Sequence, residues 1–338
     1  MLDIPSLTGF VREWYATGGP VPLHQPKFGP NDRKYVVDAI DSSFVSSVGA
    51  YVNRFESELA SYTGARRAVV TVNGTAALQV ALELAGVGPG DLVLTQPLTF
   101  IATANAIRHT GAQPVFLDVD RDTMGLSPDA VAAFLRTASV RREGACHDRS
   151  TGARIAAVVP MHTFGLPVRI AEICAVAAEW GIPVVEDAAE ALGTTVAGRH
   201  CGTFGHFGIY SFNGNKTITC GGGGAIVTND GVLADRAKHL TTTAKIPHPW
   251  EFVHDEVGYN FRMPNLNAAL ACAQLEQIED LIADKRRMAA AYADFFAKAG
   301  ADVLFMREPP GVRWNCWLHT IVLPDRAEIG RASCRERV

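Results

Sequence analysis

The 338-residue sequence lacks the marks of several large protein classes. Its seven cysteines (Cys146, Cys174, Cys201, Cys220, Cys272, Cys316, Cys334) form no CxxC pair and no metal-ligand spacing, which argues against zinc and for reduced thiols in a cytoplasm. There is no basic excess either. Thirty-one basic against 35 acidic residues give a net charge of -4, so small molecules are expected as partners rather than nucleic acid. No segment is apolar enough to serve as a signal peptide or membrane span, because residues 1–16 are interrupted by Asp3, Arg12, Glu13 and Trp14. No internal repeat is evident. With 48% hydrophobic and 20% charged residues, neither disorder nor a fibrous architecture is indicated.

What is present is a strand and helix alternation. Short β-branched runs at 68–72, 92–95, 114–119, 155–160 and 182–186 alternate with helical patterns at 76–85, 102–109, 128–136 and 170–180. This is the pattern of an α/β protein with a mainly parallel sheet and helices on both faces. Two further strands, 208–212 and 225–228, flank a glycine-rich loop. A large domain is expected over 55–242, after an N-terminal segment 1–54. In 264–299, Leu266, Leu270, Leu275, Ile278, Leu281 and Ile282 recur at helical spacing, which predicts one long helix leading into a smaller C-terminal α+β domain over 243–327. Residues 314–323 alternate like a strand. Residues 137–154, with Arg141, Arg142, Glu143 and Asp148, read as a solvated insertion loop.

Four features carry chemistry. Lys216 lies in Ser211-Phe212-Asn213-Gly214-Asn215-Lys216-Thr217 ahead of four glycines and just past a strand, at the sheet edge where open α/β sheets bind ligands. By itself it reads as a surface lysine. Asp187 ends an apolar run, so its carboxylate is expected at the same edge; by itself it reads as a helix cap. Asn73-Gly74-Thr75-Ala76 follows a strand and opens a helix, whose free N–H groups suit a phosphate or simply make a capped turn. Phe100 follows the next strand, as a ring-stacking group or a core residue. Together they supply what a pyridoxal-phosphate site needs: a lysine for the Schiff base, an acid for the pyridinium nitrogen, a phosphate cup and a stacking ring.

These motifs, with Glu186-Asp187-Ala188-Ala189 and Gly258-Tyr259-Asn260-Phe261-Arg262-Met263, closely resemble the DegT/DnrJ/EryC1/StrS sugar aminotransferases over residues 22–323. The resemblance implies the aspartate aminotransferase-like fold (fold type I) and a cytoplasmic homodimer with active sites shared between subunits. Lys216 would form the Schiff base, Asp187 would pair with the ring nitrogen and Phe100 would stack on the ring. Gly74, Thr75, Ala76 and Ser211 would hold the phosphate, joined by Asn260 of the partner subunit. Glu190 departs from the family's commoner Gln or His. Near the cofactor's phenolic oxygen a carboxylate repels, so Glu190 is expected to be protonated or turned away. No metal is implied.

The stretches Pro22-Leu23-His24, Phe44-Val45-Ser46-Ser47-Val48-Gly49 and 211–216 resemble most the LegC-type branch. Its members aminate UDP-4-keto-6-deoxy-N-acetylhexosamines, with L-glutamate as donor, for legionaminic acid or bacillosamine-type surface glycans. Perosamine synthases share a similar Gly214-Asn215-Lys216-Thr217 stretch, so a GDP-linked substrate is the alternative. Arg262, Lys245 and His248 are candidates for the diphosphate or the donor's carboxylates, or are merely solvated. Two other classes fit less well. A dinucleotide-binding oxidoreductase needs its glycines to open a helix, whereas 221–224 lie between strands. A catalytically idle relative would not need Lys216, Asp187 and the cup together. Finally, the polar string 328–338 replaces the alternation of 314–323 and resembles translated sequencing-adapter read-through. It is expected to be a non-native tail on an incomplete small domain, leaving the chain poorly soluble or weakly active.

Overall fold

A computed structural model describes residues 3–299 and 303–323; the string 328–338 and the end of the expected small domain lie outside the described residues. The central sheet is built from β1 (Arg67–Thr71), β2 (Leu92–Thr95), β3 (Gln113–Phe116), β4 (Ile155–Val159), β5 (Val185–Asp187), β6 (Phe207–Ser211) and β7 (Gly224–Thr228). Two ladders, β1-β7-β6-β5 and β3-β2-β4, are joined by the parallel bridges Val158–Val184 and Met161–Asp187. β7 runs antiparallel to both of its neighbours, and the other pairings are parallel. β1, β2, β4, β5 and β6 therefore end at one edge, where the segments that follow them collect.

The described helices are α1 (Ile4–Trp14), α2 (Pro30–Asp41), α3 (Ala50–Thr63), α4 (Gly74–Leu84), α5 (Ile101–His109), α6 (Pro128–Ala138), α7 (Ile170–Trp180), α8 (Gly231–Thr241), α9 (Asn265–Glu276) and α10 (Ile278–Ala299). They cover both faces of the sheet, which is why its strands read as unbroken apolar runs. In β1, Ala68 and Val70 pack into one core with Leu59 of α3 and Leu275 of α9. Val69, between them, points into the opposite core with Leu78 of α4, Ile107 of α5 and Ala237 of α8. Helices α6 and α7 close a third cluster over Leu94, Val158 and Val184. The N-terminal segment clasps the later helices. Phe10 of α1 packs against Tyr292 and Phe295 of α10, with ring centroids 5.1 and 4.8 Å away, and Tyr35 of α2 donates to Glu276 of α9 at 2.7 Å. The expected boundary between residues 54 and 55 lies inside α3. No helix among the described residues is long and apolar enough to cross a membrane.

Three expectations are corrected. The single helix over 264–299 is two, α9 and α10, broken at Gln277, whose side chain donates to Asp32 of α2 at 2.9 Å. The apolar spacing hides the break because Leu275, Ile278 and Ile282 all enter the same core. Residues 137–154 are not a loop. After α6, Ser139–Arg142 and Ala145–Asp148 pair as a hairpin, turning through Glu143 and Gly144, both at positive φ. Backbone pairing carries the hairpin while Arg141 and Arg142 stay in solvent, so the side chains give little strand signal. Residues 314–323 are not one strand: only Ile321–Val322 within them pairs, with Leu304–Phe305. Trp314, Asn315, Cys316 and Trp317 are buried without a ladder, held by side-chain bonds to distant backbone.

Candidate active site

At the common edge, β1 runs into Asn73, which caps α4: its Oδ1 accepts the Ala76 N–H at 2.8 Å. That bond engages one of the three N–H groups expected to meet a phosphate. The N–H groups of Gly74 and Thr75, in the first turn, have no partner within the helix. The glycine run serves this cup. A Cβ on Gly224 would lie 2.5 Å from the Gly74 nitrogen, so only glycine lets β7 come this close. Ser211, ending β6, is on the cup's other side: a Cβ on Gly74 would sit 3.1 Å from the Ser211 Cβ.

β5 ends in two adjacent buried carboxylates that face opposite ways. Glu186 is saturated by protein. It accepts the N–H groups of Phe204 and Gly205, each at 2.6 Å, that of Gly202 at 2.8 Å, and pairs with His162 Nε2 at 3.0 Å. Asp187 accepts from Thr103 Oγ1 at 2.7 Å and from the Ala189 N–H at 3.2 Å. No helix follows it, so it is not a helix cap, and two donors leave part of its acceptor capacity for a ligand.

Lys216 sits in the loop between β6 and β7, which is closed at its base by Phe212 N to Gly223 O at 2.9 Å and Cys220 N to Phe212 O at 3.0 Å. Its Nζ lies 3.3 Å from Glu190 Oε1 and over the Trp317 ring, 4.4 Å from the centroid. Glu190 is thus turned toward the lysine, not away from the site. Its Oε2 accepts the Phe164 N–H at 2.8 Å. Burial pushes the Glu190 carboxyl above its usual range; the Lys216 ammonium and the Phe164 N–H oppose the rise, and the Asp187 charge adds to it.

Phe100, at the N-cap of α5, is 63% exposed at the same edge, free to cover a ligand rather than fill the core. Asn260 is exposed, and its Oδ1 accepts from Arg262 Nε and Nη2 at 3.1 and 3.0 Å. Arg262 bridges Thr71 at the end of β1, which brings it near the cup of its own chain. Lys245 and His248 stay in their own exposed loop, Lys245 over Phe252 and His248 accepting the Glu251 N–H at 2.9 Å.

A largely enclosed amine, a buried acid with spare acceptors, an open helix N-terminus and an exposed ring at one sheet edge fit pyridoxal phosphate. The sequence model of the DegT/DnrJ/EryC1/StrS aminotransferase family matches residues 26–337. The chain belongs to that family. It is a pyridoxal-phosphate-dependent sugar aminotransferase with the fold of those enzymes. It is 37% identical over 272 residues to the GDP-perosamine synthase of Escherichia coli O157:H7, covering 80% of this chain and 70% of that one. It is 35% identical over 311 residues to the GDP-perosamine synthase of Vibrio cholerae, covering 92% and 80%. The crystal structure of the aminotransferase TlmJ from Streptoalloteichus hindustanus superposes with a TM-score of 0.80 at 29% identity, covering 90% of this chain and 78% of that one. Sequence reasoning passed over Thr103, Asn315, Trp317 and the His162–Glu186 pair. Thr103 had a signal in its place three residues after Phe100, and Glu186 in the Glu186-Asp187-Ala188-Ala189 motif; the others had no local one.

Proposed function

We propose that this aminotransferase moves the amino group of L-glutamate to the 4-keto group of a nucleotide-linked 4-keto-6-deoxysugar, with Lys216 carrying the cofactor. The carrying observation is the convergence of the largely enclosed Lys216 amine, its buried neighbour Glu190 and the buried Asp187 carboxylate at the edge that also bears the cup. Bound pyridoxal phosphate supplies a carbonyl that captures amines and an electron sink for the carbon next to nitrogen. The chain's own residues do the rest. Lys216 Nζ holds the cofactor and, when displaced by substrate amine, takes the proton from the substrate carbon. Asp187 keeps a proton on the ring nitrogen. Gly74, Thr75 and Ser211 bind the phosphate through backbone N–H and hydroxyl, with Ala76 closing the turn, and Phe100 covers the ring.

The active unit is proposed to be a homodimer. Phe44, Val48, Phe100, Ile101, Trp250, Phe252 and Val257 are exposed, a set of apolar side chains that a second copy would cover. Asn260 would then reach the phosphate of the partner's site. The acceptor is a UDP-linked N-acetylhexosamine on the sequence motifs around His24 and Ser46. A GDP-linked 4-keto-6-deoxymannose is the second reading, favoured by the two perosamine synthases similar to this chain. A role in polysaccharide biosynthesis in the cytoplasm fits either. Glutamate-dependent amination of a panel of UDP- and GDP-ketosugars, read by product mass, tests both; no amination of any member would reject the proposal.

A further inference from the structure

We propose that Glu190 is the proton-exchange partner of Lys216, and that Trp317, fixed by the buried Asn315 side chain, is a positioning residue that holds the lysine against it. The inference rests on Lys216 being the cofactor lysine.

The geometry around Nζ is closed on two sides. Glu190 Oε1 is 3.3 Å away, and the carboxylate cannot swing out because Oε2 is held by the Phe164 N–H. The Trp317 ring presents its face to the ammonium, an arrangement that favours a cation most where water is excluded, and both the lysine and the glutamate side chains are about nine-tenths buried. The clamp grips both flanks of the lysine. Trp317 Nε1 donates to Asn215 O at 2.7 Å, on one side of Lys216. Asn315 Nδ2 donates to Thr217 Oγ1 at 3.2 Å, on the other, and to the backbone oxygen of Glu190 itself at 2.7 Å. Asn315 Oδ1 in turn accepts the Trp317 N–H at 3.0 Å. Asn315 is fully buried, and its place is kept by Gly165, where a Cβ would lie 2.2 Å from Asn315 Oδ1.

Lys216 acts as a nucleophile and as a base only when Nζ is neutral. The proton that must leave Nζ has an acceptor in Glu190 Oε1: ammonium and carboxylate become amine and carboxylic acid, one proton moves, and the net charge of the pair is unchanged. Burial, which favours the neutral carboxyl, lowers the cost of that transfer. The other charged or titratable neighbours are Asp187, from β5; His24, stacked on Trp317 at 5.5 Å; and Lys285 of α10, bonded to Trp317 O at 3.2 Å. Burial pushes His24 down to about 4, with Lys285 adding to it, so that imidazole is a weak base, and among the described residues Glu190 is the carboxylate hydrogen-bonded to Nζ.

The test uses this chain stripped of cofactor. The rate at which an acylating reagent labels Lys216 is followed against pH by peptide mass spectrometry, beside capture of added pyridoxal phosphate fixed by borohydride. Glu190→Gln, whose amide oxygen still accepts the Phe164 N–H, should lower the labelling midpoint by about one to three pH units, because the buried ammonium has lost its anion. Glu190→Asp, which withdraws the charge without removing it, should shift it part of the way and serves if the glutamine variant does not fold. Trp317→Leu should lower the midpoint by about half to one unit, the cation–π contribution converted to pH, while Trp317→Phe restores most of it. Midpoints unchanged in both Glu190 variants would overturn the proton-exchange role, and a phenylalanine variant as shifted as the leucine one would overturn the role of Trp317. Wild-type chain that captures no pyridoxal phosphate on Lys216 would instead reject the assignment of the site itself.

Discussion

Replacing Glu186 by glutamine should damage stability far more than so conservative a change suggests. Four donors converge on this fully buried carboxylate: three backbone N–H groups, from Gly202, Phe204 and Gly205, and His162 Nε2. His162 cannot change tautomer cheaply, because its Nδ1 already accepts the Val168 N–H at 3.3 Å. A glutamine amide puts an NH2 where one oxygen stood, and either orientation sets that donor against two others. Two buried donors left without an acceptor cost about 1–3 kcal/mol each, so about 2–6 kcal/mol in all. Against a typical domain stability of about 5–15 kcal/mol this is a large share, and for a chain of 338 residues it corresponds to a melting temperature lower by roughly 3–9 °C. Circular dichroism melts at pH 7 read it directly. Glu186→Leu, which leaves all four donors unpaired, should be less stable than Glu186→Gln. Because the Asp187 side chain lies on the other face of the strand, the fraction of either variant that folds should still take up cofactor. A glutamine variant melting within about 2 °C of wild type would refute the accounting.

Four other outcomes follow from the site. Lys216→Ala should fold but lose both the borohydride-sensitive visible band and transamination, since no neighbouring amine takes its place; residual turnover of ketosugar would refute the assignment. Asp187→Ala should weaken cofactor binding in equilibrium dialysis and lower turnover by orders of magnitude, and wild-type-like turnover would mean another acid serves the ring nitrogen. Mixing Lys216→Ala with Asn260→Ala chains should restore part of the activity, because one site of each mixed dimer would carry neither lesion; no recovery in verified heterodimers would place Asn260 in its own chain's site or nowhere. Burial pushes His200 and His319 down from 6.5 to about 4, so both are neutral when folded and gain protons on unfolding. Their contribution is complete above pH about 6.5 and is lost as pH falls toward 4, up to about 3 kcal/mol each. His200→Gln and His319→Gln should flatten the fall in melting temperature over that range, and an unchanged slope would refute it.

The sheet and the cup were legible in the sequence because each is written inside one short unit. A strand buried on both faces is a β-branched run, the turn after it carries Asn73-Gly74 or Thr99-Phe100, and the next helix begins with its cap. Strand direction then places Lys216, Asp187, Phe100 and the cup at one edge without further information. Glu190 was legible as a residue near the site, but whether it turned toward Lys216 was not, since that depends on the Phe164 N–H that holds its other oxygen.

What only the tertiary structure decided was set by groups far apart in the chain. The indole that clamps the lysine loop is 102 residues from Asn215, and Asn315 reaches Glu190 across 125. Their stretch looked like a strand because its large apolar residues are buried, and burial alone does not say whether a ladder or a set of side-chain bonds holds them. The break at Gln277 was invisible for a related reason: the apolar period runs on through it, and only the polar partner on α2 marks where α9 ends. The sequence by itself determined the strands of the central sheet and pointed to the proposed cup and cofactor lysine, because those are local choices of periodicity and turn chemistry. Packing decided which carboxylate faces the amine and which is consumed by backbone donors, because a side chain's charge is governed by the neighbours that folding brings to it.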